Sequence, residues 1–549
     1  MLGLLEIIRQ HPINPIFVVV SLAGTYVVYN VVTRARSLHQ LQGPPSRSFL
    51  SGHLPQFYDP INGDTFYTML RNNYGMVCRL KGMLGEDQLW VSDPRALQEI
   101  AVKENNSFLI SKEFAAFTET TFGSTMLTVH GERHRLQKKL LSPAFTPKHL
   151  RGLVSTFTTL TQQMESAILS DMRGEETATV DVFKWVNLVS LEMIGEAGFG
   201  YSFGVMEGKG DEVLRALSRL FPVMTELWWI RPFLPWLKNI GPGFFRRFIV
   251  EWTPSSSVKE LVKITDILNN MAVDIHRQKK NAIANVSLHD QQNEILPTDQ
   301  QMPEDEVIAQ IFGFVFAGSD TTSSAITTVI YLLAQHTEVQ EKLHTEIQEA
   351  YQRYGQDLNY EQLHSLTLLD AVCRESLRLF PSQPILERTA MKDWTLPLQQ
   401  QVMSSDGKTT MTHVPVKKGM QIYISLDAAN RDKQIWGDDA NEFRPSRWLE
   451  ELPLSVKDSN LPSAYSSIGI KFSQLEMSKL IGNAEKSYTE TSAEVVLSRL
   501  IHKFKFAFGE EIIRFNINGV YQPYVVQGDG TQGTNPSMPL KVTLVGGSE

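Results

Sequence analysis

Ala317-Gly318-Ser319-Asp320-Thr321-Thr322 places an acid and hydroxyls inside a stretch, Asp305 to Ala334, that is otherwise apolar. A glycine in a helix interior costs about 1 kcal/mol relative to alanine. An acid and hydroxyls in so apolar a helix break the local rule where burial is deepest, and such breaks gather at functional sites. Gly318 removes a side chain and makes room for a ligand. Asp320 and Thr321 are placed to relay protons. A helix kink with hydroxyls bonded back onto the preceding turn accounts for the same residues on structural grounds alone.

Two further groups follow in order. Glu375-Ser376-Leu377-Arg378 spaces an acid and a base by three, which brings both to one face of a helix. Alone this says little, because surface pairs of this kind contribute little. Phe443-Arg444-Pro445-Ser446-Arg447-Trp448 joins an aromatic pair to a guanidinium, after Asn430-Arg431-Asp432. Its value lies in the order: acid–hydroxyl helix, Glu375 and Arg378, then this segment. Earlier in the chain, Gly131 to Lys139 is strongly cationic and by itself reads as a solvated helix face.

The elements that position these residues are mostly helical. Thr65 to Asn73, Asp305 to Ala334 and Glu338 to Tyr354 read as helices, the second hydrophobic on most faces and therefore buried. Met76 to Leu80 and Gln88 to Val91 read as a strand pair, and Gly419 to Leu426 as a strand. Asn281 to Gln300 reads as a surface loop. The expected class is mainly α with small β-sheets (α+β), in one domain without internal repeats.

The chain has 549 residues, 42% hydrophobic and 20% charged, with a formal net charge of −8. That is globular composition, and the mild acidity argues against a nucleic-acid partner. Two cysteines, Cys78 and Cys373, exclude a disulfide framework, and no Cys/His cluster suggests zinc. Ile16 to Val32 is apolar and uncharged, near the lower limit of about 17–25 residues for a spanning helix. Arg34 and Arg36 follow it, which puts the following body in the cytosol. The expected organisation is a short segment 1–15, a single transmembrane anchor 16–33, a basic and Pro-rich hinge 34–50 and a body 51–549. Pro44-Pro45 stiffens the hinge into an extended spacer.

The ordered motifs resemble the cytochrome P-450 family over nearly the whole chain, from Gly43-Pro44-Pro45 to Met538-Pro539-Leu540-Lys541-Val542. Ala317-Gly318-x-Asp320-Thr321 is similar to its oxygen-activation signature, Glu375-x-x-Arg378 to its E-x-x-R pair, and Phe443-x-Pro445-x-Arg447-Trp448 to that pair's partner. The resemblance implies a haem-thiolate monooxygenase fold that binds haem b. Ala317, Gly318, Asp320 and Thr321 would serve oxygen activation, with Asp320 and Thr321 guiding protons. Glu375, Arg378 and Arg447 would form a buried structural cluster. His134 and Lys138 stand at positions that face the haem propionates, as does Arg388. The body resembles fungal microsomal members, which implies the endoplasmic reticulum membrane, contact with membrane lipid, and electrons from NADPH through a reductase. The exposed cations of Arg133 to Lys139 would dock an acidic face of that reductase. An apolar small molecule would lie along Ile311 to Phe316 and Ser382 to Leu386.

One departure is decisive for chemistry. The family's thiolate comes from a Phe-x-x-Gly-x-Arg-x-Cys-x-Gly loop and favours O–O cleavage. Here the corresponding stretch is Asn460 to Phe472, where only Gly469 matches and Ser467 stands in register with the cysteine. The segment beyond it, Ile468-Gly469-x-Lys471-Phe472, is intact, so a block is missing between Ser467 and Ile468. Ser478 to Ala493 reads as a polar block inserted soon after. A loss and a gain so close together are what misplaced splice boundaries in a gene model produce. The alternatives to a working monooxygenase are therefore a catalytically dead relative on the same fold or a mis-spliced product.

Overall fold

The computed structural model describes residues 38–286, 302–355, 357–459, 488–533 and 535–546. The expected anchor at 16–33 and the Ser467–Gly469 stretch lie outside these residues. Among the described residues, no helix is long and apolar enough to cross a membrane.

A five-stranded sheet forms one side of the body. Its strands are β1 (Val77–Lys81), β2 (Asp87–Val91), β3 (Phe108–Ile110), β4 (Ile385–Ala390) and β5 (Gln421–Ser425), in the order β1-β2-β5-β4-β3. Val77 opposes Val91 in the antiparallel β1/β2 pair, while β2 and β5 run parallel. Both β2 and β5 are buried along their whole length. Central strands of this kind tolerate near-continuous apolar character, as in Gln421-Ile422-Tyr423-Ile424-Ser425.

The helices that matter for the site are α1 (Lys112–Phe122), α2 (Gly131–Leu141), α3 (Pro147–Asp171), α4 (Asp211–Glu226), α5 (Glu304–Gln335), α6 (Thr367–Leu379) and α7 (Tyr488–Lys503). Helix α5 runs through the main core, with Phe312, Val315, Ile326 and Ile330 buried along it. Glu304, Asp305 and Glu306 fill its first turn, where negative charge complements the helix dipole. Ser111 caps α1 by accepting the Phe114 N–H at 3.0 Å.

The structure alters three expectations. The loop expected from Asn281 is helical as far as Val286, as the end of the helix Ser256–Val286; its Lys, Asn and Ala residues do not interrupt a helix already nucleated upstream. The block read at 478–493 as polar and inserted is helical and packed into the core over its described part. Tyr488 to Ala493 are buried as the first turns of α7. The hinge does not stand off the body: Leu38 and Leu41 are buried, and the Arg79 N–H donates to the Gln42 carbonyl at 2.8 Å. A Cβ on Gly43 would lie 2.0 Å from the Arg79 carbonyl oxygen, so glycine is required for this approach.

Candidate functional site

An interior cavity of about 350 Å³ opens beside the broken face of α5. Ala317, Gly318, Asp320 and Thr321 line it, together with Arg388 of β4. Phe314, Phe316 and Pro384 to Leu386 supply apolar wall from the two segments expected to do so. A hairpin of Ile512–Asn518 and Val520–Val526 pushes its tip into the same space. Gly519 makes that tip possible: its φ is +81°, and a Cβ there would lie 2.5 Å from the Phe221 ring.

Asp320 is buried, and its Oδ2 has no hydrogen-bond partner among the described residues. Burial alone pushes its carboxyl up to about 7, because a low-dielectric surrounding disfavours the charged form. The group is thus poised to hold or release a proton near neutrality. Thr321 donates its hydroxyl to the Ala317 carbonyl at 2.7 Å, the back-bonded arrangement open to a hydroxyl within a helix. Gly318 has a different reason from the one expected. A Cβ there would meet Ile194 Cδ1 at 2.9 Å and Cγ1 at 3.0 Å. The missing side chain makes room for Ile194, which itself lines the cavity.

Glu375, Arg378 and Arg447 come together away from the cavity, all almost wholly buried. Arg378 grips Glu375 with two bonds of 2.9 Å, from Nε and Nη2. Its remaining donors reach the carbonyls of Asn430, Ala440 and Glu442 at 2.6, 2.6 and 3.0 Å. Arg447 Nε reaches Glu375 at 3.4 Å, and Trp448 Nε1 donates to the same carboxylate at 3.0 Å. This is a saturated, dry ion cluster that ties α6 to the loops before and after Trp436.

His134 and Lys138, on α2, are not among the cavity's lining residues. Lys138 is partly buried, which pulls its ammonium group down from its usual range. What α2 does instead is brace α5. Arg133 pairs with Glu306 at 2.7 Å, Gln137 donates to Glu306 at 2.7 Å, and Gln310 donates to Gln137 at 3.1 Å. Arg133 to Lys139 is therefore only in part a solvated face.

The residues present fit a haem-thiolate group in part. Arg388 supplies a cation on the cavity wall, and Asp320 supplies a buried polar atom awaiting a partner. No thiol does the same. Cys78 is buried in β1 and Cys373 in α6, neither is in a disulfide, and neither lines the cavity. Burial pushes the Cys78 thiol far up, opposite to what a metal ligand needs.

Sequence reasoning missed a second polar feature of the cavity wall, the ion pair of Arg231 and Glu387. The two are remote in sequence, and the only signal was one arginine within the apolar run Trp228 to Phe233.

Comparison with known proteins places these features in context. The family model described as Cytochrome P450 matches residues 42–465. The chain is 34% identical to Cytochrome P450 monooxygenase 212 of Postia placenta over 536 residues, covering 92% of this chain and 94% of that one. It is 35% identical to Cytochrome P450 monooxygenase 91 of the same fungus, with the same coverage. It is 33% identical to the ganoderic acid synthetase CYP5150L8 of Ganoderma lucidum, covering 96% of this chain and 98% of that one.

Proposed function

Because the chain belongs to the cytochrome P450 family, we propose that its cavity is the substrate side of a haem-dependent monooxygenase that inserts one oxygen atom of O2 into an apolar small molecule. The carrying observation is the polar break of α5, with Asp320 poised near pH 7, facing a largely apolar cavity. Haem, when bound, supplies the oxygen chemistry in this family. This chain's own residues surround the substrate, keep bulk water from Asp320, and offer Thr321 and Asp320 as proton-bearing groups. Arg388 is the cation on the cavity wall that a propionate would face.

A second reading has its own observation. Neither Cys78 nor Cys373 reaches the cavity, so the polypeptide as written lacks the thiolate and would bind its apolar molecule without turning it over. The two readings separate in one measurement, a carbon-monoxide difference spectrum of the reduced, purified full chain. A Soret band at the thiolate position supports the monooxygenase. Absence of haem, with an apolar ligand still bound, supports the second reading. Sequencing the transcript across Ser466-Ser467-Ile468 then decides whether a cysteine loop was lost from the gene model.

The partners follow the same reading: an NADPH-dependent reductase as electron source, and the endoplasmic reticulum membrane as location. Membrane contact is supported by the segment between α4 and the helix Ser256–Val286. There Trp236, Phe244 and Trp252 are 69%, 78% and 76% exposed, interspersed with Arg246 and Arg247. Aromatic and cationic side chains of this kind suit the interface of a bilayer.

A further inference from the structure

Arg231 lies at the start of the turn Arg231–Phe233, just after α4, and is 6% exposed. Both of its hydrogen bonds to Glu387 leave from Nη2, at 2.8 and 2.9 Å. Its guanidinium lies over the Tyr58 ring, with Cζ 4.2 Å from the centroid. Glu387 is fully engaged. Besides Arg231 it accepts from Tyr58 Oη at 3.0 Å, Ser111 Oγ at 3.0 Å and Gln421 Nε2 at 3.3 Å. A carboxylate has about four lone-pair sites, so little acceptor capacity is left. The guanidinium is not so engaged. Its Nε is shielded from solvent and has no partner among the described residues.

Arg231, Glu387 and Tyr58 all line the same cavity as Asp320, amid Phe57, Ile110 and Phe114. A buried donor without a partner, on a guanidinium that lines a cavity, is a cost unless a group entering the cavity engages that guanidinium. Charge then decides what that something is. Glu387 already neutralises Arg231, and Glu113 of α1 feels the charges of both. The charges of this pair cancel, and the wall's other arginine, Arg388, is the one the haem reading gives to a propionate, so neither is left over to offset a substrate anion here. A neutral oxygen meets the open N–H without bringing an unpaired charge into the interior.

We propose that Arg231 is a specificity-determining residue that donates a hydrogen bond to the neutral oxygen function of the substrate, a hydroxyl or carbonyl on an otherwise apolar molecule. Glu387 and Tyr58 position it. The inference rests on the reading of this cavity as the substrate site, and it narrows the substrate class from any apolar molecule to one with a neutral oxygen at one end.

The test compares 1-decanol, n-decane and decanoate as probes, by calorimetric titration of the full-length protein. The expected result is that 1-decanol binds about tenfold or more tightly than n-decane, since a site built to hydrogen-bond rejects the analogue lacking the group. Removing Arg231 alone would strand Glu387, so the variant is Arg231→Met combined with Glu387→Gln. In it the preference of 1-decanol over n-decane falls to near parity. Where that double variant does not melt cooperatively, Arg231→Lys takes its place, keeping the charge but not Nε, and the preference again falls. Equal binding of the alcohol and the alkane by the unmodified protein overturns the inference and leaves the cavity reading standing. Tightest binding of decanoate overturns it in favour of an anion site, as does a preference that survives the variants. Failure of all three probes to bind overturns the cavity reading and the inference with it.

Discussion

Glu375 and Asp320 are both buried carboxyl groups, on helices α6 and α5 that pack against each other, yet their surroundings are opposite. Glu375 accepts from Arg378, Arg447, Trp448 and the Arg444 backbone. Asp320 has an oxygen with no partner among the described residues, and faces a cavity. The first region uses buried polarity to fix one arrangement of chain segments. The second leaves polarity unspent where a ligand can meet it. The difference teaches which buried polar groups to read as architecture and which as chemistry: satisfied networks specify structure, and open ones mark sites.

The comparison breaks most visibly at Arg378. Arg378→Ala strands Glu375 in a dry interior and should cost about 3–5 kcal/mol, measured by urea denaturation as loss of most of the folding transition. A variant that unfolds at the same urea concentration as the parent would mean the cluster is not structural.

Asp320→Asn should act the other way, and only above acid pH. Burial raises the folded-state pKa of Asp320 to about 7 from an ordinary 3.8. Between those values the unfolded chain gives up the proton that the folded chain keeps. The parent therefore loses stability as pH rises through this window, while the asparagine variant does not. The variant's advantage in unfolding free energy should grow by about 2–3 kcal/mol between pH 5 and pH 8. A difference that is flat with pH would remove Asp320 from the list of poised groups.

Gly318→Ala sharpens the comparison with the smallest effect. The new methyl must displace Ile194 toward the cavity, an overpacking cost of about 1–3 kcal/mol, offset by about 1 kcal/mol of helix propensity. The expected outcome is a net loss of about 1 kcal/mol in thermal unfolding, largely restored by adding Ile194→Val. An unrestored loss would return Gly318 to the role of making room for a ligand.

Much of this was legible in the sequence, for identifiable reasons. The helix expected over 305–334 is α5 at 304–335, because a long, largely apolar pattern bounded by acids and a proline leaves little freedom. The strand pair near 76–91 is β1 and β2, within one residue at most ends. Ala317, Gly318, Asp320, Thr321 and Arg388 do share one cavity, since the first four ride on one helix turn and the fifth is fixed by the sheet. What was not legible depended on tertiary neighbours. The Ile194 side chain that explains Gly318 and the Glu306 carboxylate that engages α2 are remote in sequence from what they touch. So is the Arg231–Glu387 pair, whose members carry no spacing signal at all. Ser467 and Gly469 lie outside the described residues, and the question they raise is about the transcript.

The docked segment at Leu38 to Pro45 has a mechanical consequence. Leu38 donates its N–H to the buried Asp87 at 2.8 Å, Leu41 bridges to Ser404, and Gly43 is seated on β1. Traction applied at residue 38 is therefore transmitted straight into the edge of the five-stranded sheet, without slack. The body cannot swivel freely about this point as a buoy does on a chain. Its heading is set by the first strand it is riveted to, so whatever holds the amino end also aims the rest.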